Sequence, residues 1–284
     1  MNEYDLSLKN PKISSETYKT KIMGVINANE DSFYQKSRFD EYGVIEKIQD
    51  MINDGADIVD IGAVSSRPGS LPLESKEELK RIQPLCDLIY KEKLHEKVLF
   101  SIDSYTPDVL RYTLDRGFKI VNDITGLSND DVAKITAQYN AQIVIMHMQK
   151  SPSNMQDSPT YDDVILDIDK FFTKQIQKAQ FFGIKDIVLD VGIGFGKTLE
   201  HNLTLLNNLD YYKKFSCELL VGASRKSLIN NIVPSFVDDR LPGTLAIHLE
   251  SLKKGASIIR CHDVKEHYQA IKIQEAILSQ KRYS

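Results

Sequence analysis

The chain predicts an α/β fold, a (β/α)8 TIM barrel built as a single domain, and three observations carry that expectation. Short apolar runs rich in β-branched residues recur eight times along the sequence. Stretches with helical periodicity separate them. The length of 284 residues holds eight such units and little more. The runs are "KIMGVIN" (21–27), "DIVDIG" (57–62), "KVLFSID" (97–103), "FKIVND" (118–123), "QIVIMH" (142–147), "DIVLDV" (186–191), "ELLVGA" (218–223) and "ASIIRCH" (256–262). They do not alternate apolar and polar residues cleanly, which suits parallel strands buried on both faces. A doubly wound open sheet is the second reading of the same alternation.

The intervening segments carry helix signals in order. "SKEE" at 75–78 reads as a capping box, Ser75 facing Glu78, opening a helix to about residue 93. "TPD" at 106–108 sets a proline at the first helical position behind a threonine cap. Residues 161–182 repeat apolar positions at three-to-four spacing and stop at Gly183. Further helices are expected near 240–254, ending at Gly255, and over about 264–280. No linker, repeat or low-complexity tract divides the chain. The expectation is a barrel domain over 21–284 behind an extension, residues 1–20, that crosses the barrel bottom or edge.

Composition narrows the function. A hydrophobic content of 42% with 27% charged residues is that of a soluble globular protein. A net charge of −4 offers no electrostatic reason to expect a nucleic-acid partner. The N-terminus has no apolar signal core and no run approaches a membrane span, so no membrane partner is expected. Cys86, Cys217 and Cys261 lie far apart without C-x-x-C spacing, which argues against structural zinc and suits a reducing, cytoplasmic compartment.

The strand ends carry the chemistry. Almost every apolar run finishes on a polar side chain: Asn27, Asp60, Asp103, Asn122 with Asp123, His147, Asp190, Ser224-Arg225-Lys226, and Arg260 with His262. In a barrel these ends form one face, the face that holds active sites. Arg67, Lys226, Arg260 and His262 bring positive charge there, and Arg67 sits in "SSRPGS", a loop suited to wrapping an oxyanion. Asp103, Asn122 and Asp190 are acceptors suited to a flat heterocycle with several N–H donors, such as a pterin or purine. Asp123, in "NDITG", is expected to make an Asx turn instead. Asn27 offers one neutral oxygen to a magnesium ion, which keeps most of its waters. His147 reads as a packed strand-end residue.

One stretch, "IVLDVGIGFGKT" (187–198), imitates a phosphate loop and fails the count. G-x-x-x-x-G-K-[ST] needs a glycine where Val191 stands, and G-x-G-x-x-G needs one where Lys197 stands. The alternating glycines are therefore expected to let backbone approach a flat ligand, with Phe195 presenting its ring and Lys197 at the rim.

The motifs "IMGVIN…DSF", "GADIVDIGAVSSRPG", "SIDSY", "VNDITG", "VIMH", "LDVGIGFGKT", "GASRKS" and "IRCHDV" together resemble dihydropteroate synthase from about residue 21 to 280. The resemblance implies a barrel, usually a homodimer, that joins para-aminobenzoate to dihydropterin hydroxymethyl diphosphate and releases pyrophosphate. By motif, Asp103, Asn122 and Asp190 would hold the pterin, with Lys226 bridging to the aminobenzoate and Ser227 near its carboxylate. Pro68 and Phe195 would line the aminobenzoate pocket. Ser66, Arg67, Arg260 and His262 would hold the diphosphate, Asn27 would ligate Mg²⁺, and Asp31 and Phe33 belong to a closing loop. Asp103, Lys226, Arg260 and Arg67 would carry the catalysis, and sulfonamides would compete with aminobenzoate.

The first loop departs from the family's usual Thr-Pro-Asp-Ser-Phe and reads Ala28-Asn29-Glu30-Asp31-Ser32-Phe33, with Gln35 and Lys36 beyond. Val64, Ser66 and Val191 stand where Glu, Thr and Pro are common. Two other readings share the pterin residues: a barrel presenting methyltetrahydrofolate to a corrinoid partner, and a catalytically silent pterin binder. The complete "SRKS" and "RPG" segments argue against the first, and the second would be signalled by loss of a charged strand-end residue, none of which is missing.

Overall fold

The structure is a computed structural model that describes residues 20–27, 39–62 and 74–280. In chain order the elements are β1 (Lys21–Asn27), α1 (Phe39–Asn53), β2 (Ile58–Gly62), α2 (Ser75–Lys91), β3 (Leu99–Asp103), α3 (Pro107–Leu114), β4 (Ile120–Asp123), α4 (Asp130–Gln138), β5 (Gln142–Met146), α5 (Val164–Phe181), β6 (Ile187–Asp190), α6 (Leu199–Asn207), β7 (Glu218–Val221), α7 (Ser227–Ile232), α8 (Leu241–Lys253), β8 (Ile258–Cys261) and α9 (Val264–Leu278). Each strand pairs in parallel with the next, and β8 pairs with β1, so the sheet closes. The closed barrel, not the open sheet, is the fold. The expected extension, residues 1–20, lies outside the described residues except for Thr20. Among the described residues no helix is long and apolar enough to cross a membrane.

The sequence shows no clean alternation because both faces of each strand are buried. Outward residues such as Ile22, Val59, Ile61, Val121, Ile145 and Leu189 join the large core beneath the helices. Inward residues Met23, Ile58, Ile120, Val144, Val188, Leu220 and Ile258 form a separate apolar cluster. Side chains two residues apart on a strand face the same way. Two steps toward the C-terminal ends, the inward positions therefore become Val25, Asp60, Asn122, Met146, Asp190, Gly222 and Arg260, four of the seven polar. The apolar cluster is the floor of a polar mouth. Each of its side chains contributes roughly 1.5–3 kcal/mol by leaving water. Register levels the mouth, since Asn27 lies opposite Gly62, Gly62 opposite Asp103, and Asp103 opposite Asn122.

Two helix starts differ from expectation. Ser75 is the first residue of α2, and the cap residue, Glu74, makes no side-chain cap bond. Glu78 turns inward instead, buried, and accepts hydrogen bonds from Ser104 Oγ at 2.5 Å and from the Thr106 hydroxyl. A buried carboxylate needs donors, and two hydroxyls on the neighbouring loop satisfy it better than one backbone N–H at a helix start. Pro107 does open α3, but the Thr106 hydroxyl is committed to Glu78 and does not cap the helix. The result ties α2 to the loop that immediately follows Asp103. Elsewhere the signals hold. Asp163 caps α5 by accepting from Ile165 and Leu166 N–H, and Gly183 ends it at φ 87°.

The ends of β7 and β8 are tied by a chain of histidines. Ala223 N–H donates to His248 Nε2 at 3.0 Å, His248 Nδ1 meets His267 Nε2 at 2.8 Å, and His267 Nδ1 meets the Asp263 carbonyl at 2.6 Å. The backbone groups at both ends fix the tautomers, so each Nδ1 carries the proton and both rings are neutral. Burial lowers both imidazoles below the ordinary 6.5, His248 well below it. The unfolded chain therefore takes up protons that these rings refuse once the pH falls below about 6.5. Their contribution to stability is intact above that pH and fades as the pH falls, by up to about 1.4 kcal/mol per pH unit each. Raised carboxyls at Asp103, Asp123 and Asp190 work in the opposite sense. The expected result is thus site-resolved: imidazole nitrogen shifts should show His248 neutral at pH 5.5, and a full titration between pH 7.5 and 5.5 would contradict the arrangement.

Candidate active site

Arg260 sits at the centre of the mouth. Its Nε donates to Asp60 Oδ2 at 2.7 Å and its Nη2 to Asp103 Oδ2 at 2.9 Å. Burial opposes the charged form, but the two carboxylates outweigh it and hold the guanidinium above its ordinary value. Asp103 is raised by burial, with Arg260 pulling it down and Asp60, Glu78 and Asp123 adding to the rise. Asn122 donates its amide to Asp60 Oδ2 at 3.1 Å, which leaves the amide oxygen as the free acceptor. The role of Asp60 is missed by sequence reasoning. It appears among the strand-end polar residues, yet it carries two of the groups assigned to ligands, and its Oδ1 is buried without a partner among the described residues. The available signal was its place on β2, two strands from β4 and two from β8 in the closed order, where inward side chains of alternate strands meet.

Asp190 is buried, raised by that burial, and accepts from Gly192 N–H at 2.7 Å. Lys226 reaches over from the start of α7 to donate to the Ile193 carbonyl at 2.5 Å, with its ammonium 4.3 Å from the centre of the half-buried Phe195 ring. Burial lowers Lys226 to about 8, with Asp190 opposing the fall. Ser227, the first residue of α7, is exposed beside it. Arg225 departs in the other direction. At φ 56° it turns to a two-pronged pair with Asp263, 2.6 and 3.0 Å, so it braces the rim and does not face the mouth. His262 is exposed at the end of β8, its Nδ1 2.9 Å from Ser224 Oγ.

The glycine loop behaves otherwise than expected at two points. Gly192, Gly194 and Gly196 all have positive φ, at 68°, 82° and 56°, so their first duty is conformational. Lys197 is not a rim residue. It is 4% exposed and folds back under its own loop, with Nζ 2.9 Å from the Phe195 carbonyl, 3.0 Å from that of Gly192 and 3.2 Å from that of His147. His147 Nδ1 also lies 3.2 Å from Nζ. The backbone cage forms because three left-handed residues bend the chain around one ammonium. Burial lowers Lys197 to about 7, Asp190 opposing. Asp123 makes the expected Asx turn, accepting from Thr125 and Leu127 N–H, and His147 is buried against Phe171.

Asp103, Asn122, Asp190, Lys226, Phe195 and Arg260 thus share one mouth. Ser66, Arg67, Pro68, Asp31 and Phe33 lie outside the described residues. Asn27 stands at the rim, and its Oδ1 and Asp103 Oδ2 are each 3.8 Å from the point a Gly62 Cβ would occupy. Among the described residues no cluster of three His, Cys, Asp or Glu side chains could enclose a metal ion. The pair of oxygens fits a hard, hydrated cation held chiefly by its substrate.

The description "Pterin binding enzyme" matches residues 23–262 of this chain. Dihydropteroate synthase from Escherichia coli strain K12 is 38% identical over 263 residues, covering 92% of each chain. The chain belongs to the dihydropteroate synthases. A bifunctional dihydropteroate synthase/dihydropteroate reductase of Helicobacter pylori is 38% identical over 270 residues, 95% of this chain and 70% of that one. Among solved dihydropteroate synthases, that of Yersinia pestis with a sulfonamide drug superposes with a TM-score of 0.85 at 35% identity, covering 92% of this chain and 95% of that one. The Thermus thermophilus synthase in complex with 4-aminobenzoate gives 0.82 at 34% identity, with 91% and 95% covered. These relatives favour the synthase over the barrel that presents methyltetrahydrofolate to a corrinoid partner.

Proposed function

We infer that the protein condenses dihydropterin hydroxymethyl diphosphate with para-aminobenzoate, giving dihydropteroate and pyrophosphate for folate synthesis. The observation that carries the reading is one mouth holding three acceptors, Asp103, Asn122 and Asp190, beside the cations Arg260 and Lys226. The acceptors suit the N–H edge of the pterin. Arg260, joined by Ser66, Arg67 and His262, suits the diphosphate. As the C–O bond breaks, charge moves to the leaving diphosphate, and fixed cations stabilise it without reorganising. The methylene left behind is cation-like and lies near Asp103, whose charge favours it. The aminobenzoate amine then attacks from the side of Phe195 and Lys226, with Pro68 and Ser227 completing that pocket. The amine's excess proton leaves with water or pyrophosphate, and no covalent enzyme intermediate is required.

Asn27, with Asp103 nearby, would hold Mg²⁺, which when bound supplies charge neutralisation to the diphosphate. Asp31 and Phe33 would close the first loop and exclude water from the methylene. A cytoplasmic homodimer of a barrel over 21–284, behind the 1–20 extension, completes the reading. The exposed apolar residues Ile232, Val233, Phe236 and Val237, at and just beyond the end of α7, favour a covered surface there. The test is pyrophosphate release from the pterin diphosphate, with and without aminobenzoate and Mg²⁺. Release that requires aminobenzoate, with dihydropteroate formed, is expected. Tight pterin binding without release would overturn the assignment.

A smaller prediction arises from the same pocket. The chain has no insertion between Phe195 and Lys197 beyond a single glycine, so a sulfonamide has the same ring platform as aminobenzoate. Inhibition should be competitive with aminobenzoate, and inhibition that excess aminobenzoate leaves untouched would count against the pocket.

A further inference from the structure

The loop after β6 is held by an unusual number of side chains. Five successive carbonyls accept from them: Gly192 from Lys197, Ile193 from Lys226, Gly194 from Gln156, Phe195 from Lys197 and Gly196 from Tyr161. Three of these bonds, from Lys226, Gln156 and Tyr161, grip a single carbonyl each from outside the loop or from the mouth. Lys197 alone binds two, and it does so from within, spanning the Gly192 and Phe195 carbonyls while also bonding the His147 carbonyl on the adjacent strand end.

A buried ammonium costs several kcal/mol of lost hydration unless its three donors are satisfied, and here four acceptors surround it. A core filler would be an apolar residue. A lysine retained here gathers two neighbouring backbone segments around one charge. His147 strengthens the grip, because burial and the nearby Lys197 charge push its ring down to about 2, leaving a neutral ring beside the ammonium.

We propose that Lys197 is a positioning residue for aminobenzoate: its bonds to the Gly192 and Phe195 carbonyls fix the Phe195 ring beside Lys226. The inference rests on the synthase reading, in which that ring lines the aminobenzoate pocket. It makes the two substrates separable. Asp190 is held by its strand and by the local bond from Gly192 N–H, neither of which needs Lys197. Phe195 lies five residues beyond Asp190, in a loop whose curvature depends on the Lys197 cage. Loss of the ammonium should therefore disturb the aminobenzoate platform far more than the pterin seat.

The experiment is steady-state kinetics with both substrates for Lys197→Met, for Phe195→Leu and for the double variant. Misplacement of a reacting partner by an ångström costs on the order of 100-fold, so the KM for aminobenzoate should rise about 10-fold or more in Lys197→Met. The KM for the pterin diphosphate should move no more than about twofold. Because Lys197 acts through Phe195, the two effects should not add, and the double variant should resemble Phe195→Leu. Lys197→Gln, which keeps two donors, should fall between wild type and Lys197→Met, and it serves if the methionine variant does not fold. An unchanged aminobenzoate KM overturns the inference, as do additive effects or a parallel rise in both KM values. A wild-type protein that makes no dihydropteroate would instead overturn the synthase reading, and the inference with it.

Discussion

Lys226→Ala should lower kcat/KM by about 1,000-fold, the loss typical of removing one preorganised electrostatic donor, while the far-UV circular dichroism stays that of the barrel. The side chain projects from the cap position of α7 into the mouth and contributes little to packing, so the fold has no reason to change. Its ammonium does three things at once. It closes the Ile193 carbonyl, stands 4.3 Å over the Phe195 ring, and offsets the Asp190 charge. No other side chain among the described residues bridges the acceptor cluster and the ring. The charge also gives the prediction a pH signature. Burial sets the free enzyme's Lys226 near 8, so the cation is present below that pH and lost above it. The wild-type kcat/KM should therefore fall as the pH rises past about 8. Full activity in Lys226→Ala would remove the residue from the site, and a flat profile to pH 9 would mean its charge is not used.

How much of this was legible in the sequence depended on which forces acted locally. The barrel was legible because eight buried strands must be apolar on both faces, and each left a continuous β-branched run. The polar mouth was legible because strand ends stay in place whatever the helices do. The fine assignments failed where a side chain had a choice of partners. "SKEE" satisfies the capping-box pattern, yet Glu78 found Ser104 and Thr106 across the fold, and nothing local announces them. Asp60 reads as one strand-end aspartate among several. Its grip on Arg260 spans 200 residues of sequence and exists only because β8 closes against β1. Arg225 and Lys226 are neighbours with the same charge, and the positive φ at Arg225 sends them to opposite destinations. Lys197 looked like a surface residue because its cage is made of carbonyls, which every residue has.

Gly192→Ala is expected to be the most damaging single methyl group in the site, and comparison with Gly194→Ala isolates the reason. Both glycines have positive φ, which costs an alanine on the order of 1–2 kcal/mol before any contact is counted. A Cβ on Gly194 would meet the Lys226 stem at 3.0 Å, and a flexible stem can swing aside. A Cβ on Gly192 would lie 2.0 Å from the His147 carbonyl oxygen and 3.3 Å from Lys197 Nζ. That carbonyl cannot yield, because His147 N–H bonds Asp190 O where β5 meets β6, and its oxygen is one wall of the Lys197 cage. The Gly192 backbone itself must therefore move, which carries its N–H off Asp190 as well as its carbonyl off Lys197. Gly192→Ala should lose several kcal/mol of stability, on the scale of overpacking plus a broken buried network. It should also weaken pterin binding. Gly194→Ala should keep most of its stability and its pterin affinity but raise the aminobenzoate KM, because the displaced stem carries the Lys226 ammonium off the Phe195 ring. Equal thermal midpoints for the two variants would mean that backbone strain alone governs both positions and that the clash with His147 relaxes. The spacing that ruled out a phosphate loop would then owe nothing to the strand beside it.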